Sequence, residues 1–110
     1  MKVHLIKIQT IHDFVAANAQ SRVGLDNWLK AIKVADWKEP KDILATFGNA
    51  DNLGNGVNRI VFNIGGNNYR LVCEYVFGNK RVHLFICWIG THAAYTEMCK
   101  RKEQYTINKY

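Results

Sequence analysis

Hydrophobic and polar positions follow two different periods along the chain, with the change near residue 56. "KVHLIKI", from Lys2 to Ile8, alternates Val3, Leu5 and Lys7 against His4, Ile6 and Ile8, which predicts a short strand. Helical spacing follows. Thr10 and Asp13 make an acceptable capping box for a helix with Ile11, Phe14, Val15 and Ala19 on one face. Ser21 starts a second helix, in which Leu25, Trp28, Leu29 and Ile32 recur at the same period. Pro40, after Glu39, suits the first turn of a third, short helix carrying Ile43, Leu44 and Phe47, with Gly48 to end it.

"GNADNLGNG" is a polar loop, too short to link two domains, and beyond it the period shortens. "RIVFNI", "NYRLVCEYVF" and "RVHLFICWI" are rich in β-branched and aromatic residues, and Gly65-Gly66-Asn67 and Gly78-Asn79 sit between them as hairpin turns. Three antiparallel strands are expected. Thr91 then caps a last helix from His92 to about Arg101, followed by a frayed basic tail. The predicted fold is α+β: two or three N-terminal helices on one face of a curved antiparallel sheet, a short C-terminal helix, and the other face partly open.

Composition changes the picture in three ways. At 110 residues and 48% hydrophobic, the chain reads as one compact domain spanning residues 1–110. Its longest apolar run, "VHLFICWI", is far short of a membrane span, and "MKVHLIKI" lacks the apolar centre of a signal peptide, so a soluble cytoplasmic protein is expected. Cys73, Cys87 and Cys99 are odd in number and widely spaced, which fits thiols in a reducing compartment better than a disulfide framework. Charge is lopsided: residues 1–55 carry seven Lys or Arg against six acids, and residues 56–110 carry eight against three. That excess favours a polyanionic partner, RNA, DNA or an acidic protein; a basic surface kept for solubility accounts for it equally well.

Candidate chemistry lies in the second half. By strand alternation Arg70 points with Val72 and Glu74, and Arg59 with Val61 and Asn63, so the two arginines are expected on one sheet face. A guanidinium there is a permanent cation whose fixed donors match a phosphate or carboxylate. The competing reading pairs Arg70 with an acid such as Glu74. "GTHAAYTEMCKR" places His92 in the first turn of the last helix, with Tyr95 three residues on, where free N–H groups attract phosphate and a histidine can exchange protons. Neither CxxC nor HxxxH accompanies Cys73, His83 and Cys87, so no zinc site is expected. Gly65-Gly66 lacks the helix and lysine of a phosphate loop and reads as a turn. Trp28, Trp37 and Trp88 are expected to fill the core or the helix–sheet junction.

"WLKAIKVADWKEPKDILATF", "VFNIGGNNYRLV" and, some twenty residues later, "THAAYTE" together resemble the HigB family of type II toxin–antitoxin toxins, within the wider RelE-like group, over about residues 5–98. The resemblance implies an mRNA interferase acting on translating ribosomes, with no metal or cofactor. It also implies a HigA-type helix-turn-helix antitoxin, through which alone operator DNA is met. Metal-independent RNA cleavage requires a base for the ribose 2′-OH, cationic donors for the phosphate oxygens, and an acid for the leaving 5′ oxygen. By the resemblance Arg70 stabilises the phosphate, His92 is the general acid or base, and Tyr95 orients a base or shares the proton transfer. Arg59, Asn63, Lys80 and Arg81 are the expected RNA contacts. Several relatives place histidine and tyrosine side by side, whereas Ala93 and Ala94 separate them here. The rival readings are a non-catalytic RNA- or protein-binding module and a gyrase-inhibiting toxin of the same superfamily; apart from these, an edge tryptophan is an alternative place for an antitoxin segment.

Overall fold

A computed structural model describes residues 1–110. Strand β1 (Lys2–Ile6) passes directly into helix α1 (Ile8–Ala17) through Lys7, whose φ of 71° makes the reversal in one residue. The helix therefore starts two residues ahead of the expected cap. Thr10 lies inside the first turn, its N–H donating to the Lys7 carbonyl at 3.0 Å, and Asp13 accepts from Gln9 instead of closing a capping box. A 3-10 turn at Ala19–Ser21 leads into α2 (Arg22–Val34). In α3 (Pro40–Thr46) the capping box is real: Glu39 and Asp42 satisfy each other's backbone N–H groups, with Pro40 in the first turn.

Strand β2 (Asp51–Asn52) sits within the expected loop, followed by β3 (Arg59–Ile64), β4 (Tyr69–Phe77), β5 (Arg81–Thr91) and α4 (His92–Lys100). The sheet order is β1-β5-β4-β3-β2. Strands β3 to β5 form the expected antiparallel meander, but β1 pairs parallel to β5, from Lys2 opposite Arg81 to Ile6 opposite Phe85, so the sheet is mixed. The intervening helices carry the chain back so that β1 and β5 run the same way, as a parallel pair requires.

One sheet face packs on α1 to α3. Ile60, Phe62, Leu71, Cys73, Leu84 and Ile86 meet Ile11, Val15, Leu25, Trp28 and Ile32, and the Phe62 ring lies 5.3 Å from Trp28 and 5.0 Å from Phe47. Helix α2 comes so close to the β3–β4 turn that a Cβ on Gly24 would stand 2.6 Å from the Gly65 nitrogen.

The opposite face is less open than its sequence suggests. Met98 of α4 is buried against Val61, Val72 and Cys87, with Leu53, Trp88, Tyr95 and Ile107 around them. Nor is the C-terminal segment frayed. A 3-10 turn at Glu103–Tyr105 leads it back across the sheet, where the Lys109 N–H donates to the Cys87 carbonyl at 2.9 Å. Cys87 is free for this because the β4–β5 register slips between Val72 and Cys73, leaving it unmatched in the ladder. No helix is long and apolar enough to cross a membrane.

Candidate functional site

The chemistry-bearing residues converge where the β3–β4 turn meets the β5–α4 junction. Gly65 and Gly66 make the turn at φ 61° and 69°, conformations that other residues adopt at a cost. Arg70 follows on β4, opposite Asn63 on β3 and Gly90 on β5. Its Nη1 donates to the carbonyls of Tyr69 at 3.0 Å and Asn67 at 3.3 Å, and its Nη2 donates to Asn67 Oδ1 at 2.5 Å. The residue is 7% exposed, yet it forms no ion pair; the expected partner Glu74 lies opposite Arg59 and Phe85. Neutral oxygens thus fix the guanidinium without cancelling its charge. Nothing leaves an Arg70 nitrogen both sealed and unpaired, in contrast to Arg59 Nε.

Helix α4 is tied to the same turn. Thr91 Oγ1 accepts from the Ala94 N–H at 3.1 Å, capping the helix as its sequence predicts, and the His92 N–H donates to the Asn68 carbonyl at 2.9 Å. Adjacent asparagines therefore hold Arg70 and the start of α4. His92 faces solvent, whereas Tyr95 turns inward, its ring 6.1 Å from that of Trp88 and tilted by 42°. Burial, together with the Cys99 side chain beside its hydroxyl, raises the Tyr95 phenol well above its ordinary range. Tyr95 stays a neutral donor at working pH, and the spacing expected to return it to His92's face divides the two between surface and interior.

The remaining expected contacts separate. Asn63 joins Arg70 across the ladder. Arg59 shares the sheet face with Arg70 but lies near the other end of the β3–β4 ladder, 6% exposed beneath the C-terminal segment, with Nη1 donating to Ile107 O at 2.6 Å and Gln104 O at 3.3 Å. Expected as an RNA contact, Arg59 directs its donors to the protein's own backbone. Lys80 and Arg81 occupy the exposed β4–β5 turn, about 20 Å or more from Arg70 by the rise of β4. With Lys2, Val3 and His4 they line an open hollow of about 380 Å³.

Sequence reasoning missed Asn67, Asn68, Trp88 and Gly90 as members of this neighbourhood. The "GGNNY" run was read as a turn alone, and the shared face of Trp88 and Gly90 was legible from alternation. A second hollow of about 430 Å³, lined by Val3, Leu5, Ile8 and Leu29, lies between β1 and the helices, away from these residues. No three His, Cys, Asp or Glu side chains cluster as a metal site.

Residues 21–98 match the family model described as HigB_toxin, RelE-like toxic component of a toxin-antitoxin system. The chain is also similar to the mRNA interferase HigB of Escherichia coli O6:H1, with 26% identity over 98 residues, covering 89% of this chain and 93% of that protein. The meander, helices α2 and α3, and the junction of Arg70 with the start of α4 lie within the matched span. The chain belongs to the HigB toxin family, the RelE-like toxic components of toxin–antitoxin systems.

Proposed function

We propose that this toxin is an mRNA interferase that cleaves RNA without a metal ion, with Arg70 as the phosphate-holding group. The carrying observation is the Arg70 guanidinium, immobilised by three neutral acceptors and free of any carboxylate, beside the start of a helix that presents His92. A cation fixed in advance stabilises charge that grows on phosphate oxygens without reorganising during the reaction. The 2′-oxygen attacks the adjacent phosphorus, the bond to the 5′ oxygen breaks, and a 2′,3′-cyclic phosphate remains. His92 exchanges one of the two protons this requires, and solvent water the other. Tyr95, held neutral, serves as a hydrogen-bond donor or ring contact and not as the base. Asn63 offers its amide next to Arg70, and Lys80 and Arg81 hold RNA backbone at the far end of the sheet.

The substrate in this reading is mRNA on the translating ribosome, in the cytoplasm. The neutralising partner is a HigA-type helix-turn-helix antitoxin, which alone meets operator DNA. The relative's printed activity supports the RNA substrate. The test is primer extension on a defined mRNA, with and without ribosomes, comparing wild type with Arg70→Ala and His92→Ala. Ribosome-dependent cuts that vanish in both variants are expected. Cuts without ribosomes would remove the ribosome from the mechanism, and wild-type cleavage by His92→Ala would remove its proton-transfer role. No new RNA ends would favour a non-catalytic binding module, and broken DNA in their place a gyrase poison.

A further inference from the structure

Trp88 is the tryptophan that the core does not absorb. Trp28 and Trp37 are 3% and 1% exposed, whereas Trp88 is partly exposed, on the sheet face that carries Arg70. Its indole lies flat along its own strand: a Cβ on Gly90 would come within 2.5 Å of both Cη2 and Cζ2 of the ring. Only glycine at position 90 leaves that space. Gly90 is also the ladder partner of Arg70. Directly opposed residues on antiparallel strands stand about 4.5 to 5.5 Å apart, so the indole rests on backbone immediately beside the arginine. Tyr95 contacts it from α4, and both rings belong to the patch around Val61, Val72 and Met98.

An apolar ring held partly in water next to an uncompensated guanidinium is an ill-fitting end to a hydrophobic cluster and a good fit to a nucleotide, which offers a flat apolar face and an adjoining anion. We infer that Trp88, seated on Gly90, is a stacking platform for a nucleobase of the RNA whose phosphate Arg70 holds. This rests on the RNA-cleavage reading and adds a base-binding subsite to it. Every base has a π-face, so the platform grips RNA beside the scissile bond with little preference for sequence. A phosphate contact alone fixes the backbone, while a stacked base also fixes the rotation of the nucleotide about it, which in-line attack demands.

The test uses a short single-stranded RNA with 2′-O-methyl riboses, which cannot be cut, and the same strand with abasic sites that keep its phosphates. Binding is read by anisotropy of a labelled strand and by intrinsic tryptophan fluorescence, in which Trp28 and Trp37 are shielded. Wild type should bind the base-bearing strand roughly 5- to 100-fold more tightly than the abasic one, with quenching. Trp88→Ala should lose that discrimination and the quenching, Trp88→Phe should recover much of the discrimination, and Gly90→Ala should weaken it by displacing the indole. Equal wild-type affinity for the two strands, or unchanged discrimination in Trp88→Ala, overturns the platform alone. Failure of wild type to bind either strand overturns the platform, while primer extension on ribosomes decides the RNA-cleavage reading separately. If Trp88→Ala fails to fold, the milder Trp88→Phe and Gly90→Ala variants and the quenching of wild-type tryptophan fluorescence still decide the matter.

Discussion

Nη2 of Arg70 donates to Oδ1 of Asn67, three residues back across the turn, at 2.5 Å. A carboxylate in that place would bind the guanidinium more strongly and cancel its charge; an amide oxygen orients it and leaves the charge for a ligand. The next residue, Asn68, takes the N–H of His92. Two neighbouring asparagines thus set the relative positions of Arg70 and His92, which come from different elements.

Removing Arg70 should cost about 2 to 4 kcal/mol of transition-state stabilisation, roughly a 30- to 1,000-fold fall in single-turnover cleavage. Asn67→Ala should cost less, on the order of tenfold, because Arg70 keeps its carbonyl acceptors but loses the contact that fixes Nη2. Cleavage rates taken with thermal melting of each variant separate this effect from loss of fold. An Asn67→Ala rate equal to wild type would show that the amide does not position the guanidinium.

Gly24→Ala pits two magnitudes against each other. Alanine gains about 1 kcal/mol in a helix interior. Its Cβ would meet the Gly65 nitrogen at 2.6 Å and Cα at 2.9 Å, backbone atoms of a tight turn that cannot swing aside. Overpacking of this kind costs about 1 to 3 kcal/mol, so the variant should be less stable by urea denaturation, and its displaced turn should also slow cleavage.

Arg59 and the pair Lys80 and Arg81 should answer salt differently. Neutralising Lys80 and Arg81 should flatten the dependence of RNA affinity on salt by about 0.7 per lost contact, if both touch backbone. Arg59→Met should leave that slope unchanged and make the segment around residues 103–109 easier to cut by limited proteolysis, since its guanidinium donates to that segment's carbonyls.

Alkaline pH should loosen the fold. Burial raises the Cys73 and Cys87 thiols, and burial with the Cys99 contact raises the Tyr95 phenol. A group whose folded pKa is raised keeps its proton in the folded state after the unfolded chain has lost it. The associated stability is complete below the unfolded values and falls as pH rises through about 8.5 to 10 and beyond. The urea midpoint should decline over that range, and Cys73→Ala should shallow the decline. A midpoint that rises with pH would contradict these shifts.

Much of the fold was legible because it rests on local patterns. Strands β3 to β5 announce themselves by β-branched alternation between glycine turns, and Thr91 caps α4 with a side chain that is visible in the sequence. Where the structure departs, backbone groups decide. The parallel docking of β1 depends on a partner some eighty residues away, and the basic run Lys100–Lys102 hides a segment anchored through the carbonyls of Gln104 and Ile107 and the N–H of Lys109. The shared face of the two arginines followed from alternation. That Arg70 bonds to neutral oxygens, and that Arg59 is spent on the protein's own chain, followed from contacts that no periodicity records. Cys87 stands unmatched because of a bulge, which a period of two cannot reveal.

The pairing of β1 with β5 also sets an order of assembly. At roughly 5 to 20 residues per second, a nascent chain waits several seconds between making Lys2 and making its partner Arg81. During that time β1 lacks its partner strand, β4 has an unpaired edge, and neither Trp88 nor α4 exists to complete the neighbourhood of Arg70. Closing so long a loop is entropically slow, and it must wait for β5 to emerge. The neighbourhood of Arg70 therefore comes together late, with only the C-terminal segment still to dock, and a chain interrupted before β5 carries Arg70 without Trp88, Gly90 or His92 beside it.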